Sequence, residues 1–124
     1  MAVVLARLLA RQSPHRIRQV LHVVRRGASP ASVAEVRTAR SAVITVSRRC
    51  AIERGCLQRS LATALLCRLR GRWPTWCTGV RTSPFFAAHA WVAVGGEPID
   101  EPQGTDHYAL TLIVPPEVPA GAAN

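Results

Sequence analysis

Four cysteines (Cys50, Cys56, Cys67, Cys77) and four histidines (His15, His22, His89, His107) are the side chains best suited to nucleophilic and acid–base chemistry in this chain. The cysteines are 6, 11 and 10 residues apart, with no C-x-x-C pair and no histidine pair at zinc-finger spacing. A structural zinc site is therefore not expected. Cys56 follows Gly55 and opens a run in which Leu57, Leu61, Leu65 and Leu69 recur every four residues. That spacing predicts an amphipathic helix of roughly fourteen residues with the thiol in its first turn. There the helix dipole and unpaired N–H groups favour thiolate over thiol and can help hold an oxyanion.

A nucleophilic cysteine needs a base, and the base needs a group to orient it. His15 and His22 lie seven residues apart in Arg-rich helical sequence and read as solvated or packing residues. His107 sits in a Gly/Thr/Asp loop. His89 stands in the middle of a small-residue strand, Ala87-Ala-His-Ala-Trp-Val-Ala-Val94, where small neighbours leave room for another group to approach. Asp100 and Glu101 follow across the turn signal Gly95-Gly96. A two-residue turn pairs Trp91 with Asp100 and puts Asp100 on the face of His89, whereas a bulge or longer loop brings Glu101 there. Cys56, His89 and one of these two acids make a candidate triad.

The elements needed to position it can be read along the chain. Val3, Val4, Leu5, Leu8 and Leu9 form a helical stripe. Ser13-Pro14 starts a second helix that Gly27 ends, and Ser29-Pro30 starts a third, with a capping box at Ser32 and Glu35 just inside it. After Pro74 the texture changes to strands over 75–80, 87–94, 98–101 and 109–114. Helices followed by an antiparallel sheet predict an α+β fold. We divide the chain into a helical region over 1–48, a catalytic core over 49–114 and a loose tail over 115–124, the first two within one domain. Trp91 reads as a core aromatic that could flank the site. Pro84-Phe85-Phe86 could shape a pocket or simply pack, and Arg59 needs an ion-pair partner if buried.

Length and composition narrow the classes. A chain of 124 residues, 48% apolar and 19% charged, can bury a core and is not a disordered tail. No apolar run is long enough to span a membrane, and Arg7 and Arg11 interrupt the N-terminal apolar stretch where a secretion signal would be clean. The reading is a cytoplasmic protein with reduced thiols. All 16 basic residues are Arg. Residues 1–62 hold twelve Arg and two acids, a net of +10, and residues 63–124 hold four Arg and five acids, a net of −1. The missing Lys argues against a phosphate-binding surface, so nucleic acid is not the expected partner. An Arg-rich binding module without chemistry remains the rival class.

One resemblance ties these residues together. Gly55-Cys-Leu-Gln-Arg-Ser-Leu-Ala62, Leu65-Leu66, Gly79-Val80-Arg81, Pro84-Phe85 and Ala88-His-Ala-Trp-Val92 resemble the lasso-peptide leader peptidases, members of the transglutaminase-like cysteine-protease superfamily. The resemblance reaches upstream to Ala31 and to Ser47-Arg-Arg-Cys50. It implies a papain-like core in which Cys56 is the nucleophile and His89 the base. Gap-free spacing from the family's histidine reaches Glu101, although Asp is commoner in the superfamily and Asp100 stands beside it; both are candidates. It implies removal of the leader from a ribosomally made precursor peptide. It also implies a separate leader-binding protein and an ATP-dependent cyclase as partners. The ATP belongs to the cyclase: this chain has no phosphate-binding glycine loop and no cofactor is expected. The Arg-rich N-terminal helices, within the +10 half of the chain, are the expected docking face for the leader-bound partner. An acyl or amide transferase of the same superfamily is the nearest alternative activity.

Overall fold

A computed structural model describes residues 2–47, 55–83, 85–101 and 105–117. Cys50 and Pro84 lie outside the described residues. The elements run α1 (Ala2–Leu9), α2 (Pro14–Val24), β1 (Ser29–Pro30), α3 (Val33–Val46), α4 (Cys56–Leu69), β2 (Arg72–Trp73), β3 (Thr75–Arg81), β4 (Ala87–Val94), β5 (Glu97–Pro98) and β6 (Ala109–Val114). Strands β5-β4-β3-β6 form an antiparallel sheet in that order, and β1 pairs with β2 in parallel as a separate ribbon. The α+β architecture expected from the sequence is the one found.

Helix α4 is the centre of the molecule. It is flanked by α1 and α3 and lies against β4. The leucine spacing predicts one buried stripe, but burial runs right round the helix. Arg59, Ser60, Ala62, Thr63, Ala64 and Cys67 are buried together with Leu61 and Leu65, while Leu69 is exposed. Small side chains on the other faces let neighbouring elements come close, so the helix is enclosed on several sides. Helix α1 shows the same effect. It buries Ala2 and Ala6 and leaves Val4, Leu5 and Leu8 of its expected stripe exposed.

Local chemistry sets the element ends. The Ser13 side chain caps α2, and Gly27 leaves it at φ +81°. Arg68 of α4 donates to the carbonyls of Val24 and Arg26, taking up orphan acceptors beyond that helix. Ser29-Pro30 is not a helix start. It extends along Arg72–Trp73, with Ser29 N–H donating to Gly71 O and Ala31 N–H to Trp73 O. The α3 helix begins only at Val33, capped reciprocally by Ser32 and Glu35. Trp73 and Trp76 are fully buried with both indole N–H groups satisfied, the first by Val114 O and the second by Ser60 Oγ. Pro115 and Glu117, placed by sequence in the tail, are tied to the end of α2 through Arg25 and Gly27 N–H. Among the described residues, no helix is long and apolar enough to cross a membrane.

The strand expected over 98–101 is shorter and earlier. Gly95 and Gly96, both at positive φ, make the two-residue turn, and β5 pairs Glu97 with Val94 and Pro98 with Ala93. One more bond follows, Ile99 N–H to Val92 O. Pro98 has no N–H to give and is tolerated because β5 is an edge strand. Asp100 then takes φ +52°, which turns the chain out of the ladder. The expected Trp91–Asp100 pairing does not form.

Ser32→Ala removes one half of the capping box and is expected to lower stability by about 1 kcal/mol. Urea unfolding checks this as a lower midpoint at an unchanged slope.

Candidate active site

The short β5 leaves the first half of β4 with an open edge. Val92 O points to that edge, since it accepts from Ile99, and Ala90, two residues earlier, has the same backbone orientation. Its N–H donates to the sulfur of Cys56 at the start of α4. Gly55, the N-cap, brings no side chain to the first turn, so its N–H groups have no side-chain cap. Ser60 Oγ donates to Leu57 O and accepts from the Trp76 indole, fastening that turn to the sheet.

Three side chains meet at this edge. Cys56 lies beside His89, whose imidazole lowers the thiol, and His89 Nε2 lies 2.6 Å from Glu101 Oε1. With Nε2 used by the carboxylate, Nδ1 is the ring atom left for the sulfur. The Asp100 turn decides which acid arrives. At φ +52° the chain reverses direction between the two acids, so Glu101 reaches the imidazole and Asp100 pairs with Arg37 instead. Arg40 Nη2 donates to Glu101 Oε2 at 3.1 Å. The sequence alone gave no sign of Arg40, which lies in a different helix with no motif around it.

The electrostatics favour an ion pair. Burial pushes the Cys56 thiol up, but hydrogen bonds from His89 and Ala90 N–H, with the charges of His89 and Arg59, outweigh it and hold the thiol below its ordinary value. His89 is pushed up to about 9 by its bonds to Cys56 and Glu101, against burial. The other two described cysteines behave oppositely: burial pushes both Cys67 and Cys77 up to about 11. The arrangement can hold a thiolate beside an imidazolium at neutral pH, which is the state a thiol nucleophile needs.

Aromatic packing fixes the ring. Trp91 is buried and stacks on His89 with centroids 5.7 Å apart, and Tyr108 tilts against both. Trp91 is thus a core residue and a wall of the site at once. Arg81 lies over the Tyr108 ring. Gly79, opposite His89, makes room for this cluster. A Cβ there would sit 2.8 Å from Ala109 O and 3.0 Å from the Trp91 ring. The glycine falls where β3 and β6 shift register.

A cleft of about 630 Å³ opens onto Cys56 and His89. Its walls come from the α1–α2 junction (Gln12, Pro14, Ile17) and from the sheet (Thr78, Val80, Leu112). Phe85 and Phe86 are exposed and do not line it. His107 is also exposed, and His22, half-buried in α2, is held below its ordinary value mainly by burial. Arg59 is buried, with its interactions made.

The family model described as Transglutaminase-like superfamily (Transglut_core3) matches residues 1–112, and the chain belongs to that superfamily. The match takes in the N-terminal helices as well as the site. Comparisons with curated proteins and with solved structures return no match. Membership supports enzymatic activity of the cysteine-protease or transferase kind.

Two measurements follow from this geometry. Iodoacetamide near pH 6 is expected to label Cys56 ahead of Cys67 and Cys77, read by peptide mass mapping. His89→Ala removes the imidazole's hydrogen bond and charge, which lower the thiol, while burial stays, so labelling at that pH falls at least about tenfold. Gly79→Ala is expected to lower stability by about 1–3 kcal/mol, because the contact is with backbone and cannot swing aside. Thermal unfolding checks it.

Proposed function

We propose that this transglutaminase-like protein is a cysteine peptidase that removes the leader from a ribosomally made lasso-peptide precursor, with Cys56, His89 and Glu101 as its triad. The observation that carries the reading is the continuous contact from Cys56 through His89 to Glu101 at the mouth of a cleft of about 630 Å³. The choice of leader peptide rests on the sequence resemblance around Gly55–Ala62 and Ala88–Val92. Asp100, the other candidate acid, is turned toward Arg37 and has no part in the reaction.

The steps follow from the groups in contact. The Cys56 thiolate attacks the carbonyl carbon at the leader–core junction and a C–S bond forms. The carbonyl oxygen becomes an oxyanion, met by N–H groups of the first turn of α4. The His89 imidazolium gives its Nδ1 proton to the departing amine of the core peptide, and the C–N bond breaks. Water then attacks the thioester as neutral His89 takes its proton, and the leader leaves with a new carboxylate. Glu101 accepts from Nε2 throughout, fixing the ring and supporting its charge. No cofactor enters the scheme. In this reading a separate leader-binding protein delivers the substrate, an ATP-dependent cyclase consumes the core, and the Arg-rich N-terminal helices supply the docking face. The exposed Val4, Leu5 and Leu8 of α1 support that last role.

The test is intact mass spectrometry of a lasso precursor incubated with the full chain, with and without the leader-binding protein. Free leader and linear core are expected, and they disappear in Cys56→Ala and His89→Ala. Glu101→Gln lowers kcat roughly a hundredfold or more. Asp100→Asn changes kcat by less than about threefold, since Asn also tolerates left-handed backbone. The cleavage rate falls as pH rises through about 9, where His89 loses the proton it must donate. A leader joined to an added amine, without the mass of water, would replace the peptidase by a transferase. Equal losses in the Glu101 and Asp100 variants would remove the assigned acid.

A further inference from the structure

Among the described residues, each oxygen of the Glu101 carboxylate has one partner: His89 Nε2 on Oε1 at 2.6 Å and Arg40 Nη2 on Oε2 at 3.1 Å. The Glu101 side chain keeps 3% of its exposure and Arg40 16%. A carboxylate so far from water is costly to bury unless both oxygens are paired. One turn earlier on α3, Arg37 pairs with Asp100, but there the side chains are 58% and 35% exposed. Water can replace that outer pair and cannot readily replace the inner one.

We infer that Arg40 is a positioning residue for the triad, holding the Glu101 carboxylate turned so that its second oxygen accepts from His89. The inference rests on the assignment of Cys56 and His89 proposed above. Its physical content is a line of four groups of alternating charge: Arg40 guanidinium, Glu101 carboxylate, His89 imidazolium and Cys56 thiolate. The line sums to zero and crosses from α3 through the turn after β5 to β4 and α4. The other groups facing His89 are Tyr108, under the Arg81 guanidinium, and Arg59 acting on Cys56 from α4. Among the described residues bonded to Glu101, Arg40 alone is a permanent cation. Deleting it leaves two anions around one imidazolium in a poorly solvated place. Every proton in the line is then bound more tightly.

The pH dependence of Cys56 alkylation by iodoacetamide on the folded full chain tests this. Removing the cation moves the acid limb to higher pH, by roughly one unit in Arg40→Met. Arg40→Lys, which keeps the charge, stays close to the parent. In the Glu101→Gln background the same Arg40→Met change moves the limb much less, because the group it acts through is gone. Circular dichroism checks that each variant is folded. If Arg40→Met does not fold, Arg40→Gln, which keeps a donor and drops the charge, carries the same expectation. An unmoved limb in a folded charge-free variant overturns the inference, as does a full shift in the Glu101→Gln background. Alkylation needs no peptide, so the two proposals fail separately. A moved limb with an uncut precursor sinks the leader-peptidase reading alone, and an unmoved limb with normal cleavage sinks the role of Arg40 alone.

Discussion

The 2.6 Å contact between His89 and Glu101, with the carboxylate almost out of water, is the interaction on which the rest of this structure depends. It requires an acid beside the first half of β4, where a longer β5 would otherwise run. Two local features arrange that. Gly95-Gly96 closes the hairpin in two residues, and Asp100 takes a left-handed conformation that turns the chain. The same edge that β5 gives up is where Ala90 N–H meets the Cys56 sulfur. One truncated strand therefore makes room for both flanks of the imidazole.

The helix that carries the thiol is held by packing rather than by its own pattern. Its Ala, Ser and Thr positions let α1, α3 and the sheet approach from several directions. Its first turn is fastened by the Trp76–Ser60–Leu57 hydrogen bonds. A buried indole donor that ends on a serine four residues after the nucleophile links core packing directly to the position of the sulfur. Gly79 does the corresponding work across the sheet, leaving space for Trp91 and Tyr108 to wall the ring.

Much of this was legible in the sequence, and the exceptions have physical causes. The strand boundaries 87–94 and 109–114 followed from a small-residue run closed by Gly95 and an apolar, partly β-branched run closed by Pro115. The α4 helix followed from its leucine period. The meeting of Cys56 with His89 followed from a thiol at a helix start and an isolated His in a small-residue strand. Strand parity left the acid open between Asp100 and Glu101, because it assumes a continuous ladder and one positive φ at Asp100 breaks it. The true faces of α1 and α4 were hidden because periodicity weights large apolar residues, while close helix contacts are made by small ones. Ser29-Pro30 reads as a helix start until its pairing with Arg72–Trp73 is known. Arg40 was invisible for the plainest reason: it meets Glu101 across 61 residues of chain, and nothing local marks it among sixteen arginines.

That separation bears on when the protein becomes reactive during its own synthesis. The thiol and the Arg40 guanidinium emerge from the ribosome well before the imidazole, and the carboxylate emerges later still. Until the hairpin after β4 has left the exit tunnel and docked on α3, Cys56 is an unexceptional thiol on a growing chain. Long-range closures of this kind form late, after local helices. The nucleophile is thus armed by completion of the sheet, and a truncated or stalled chain carries no activated sulfur.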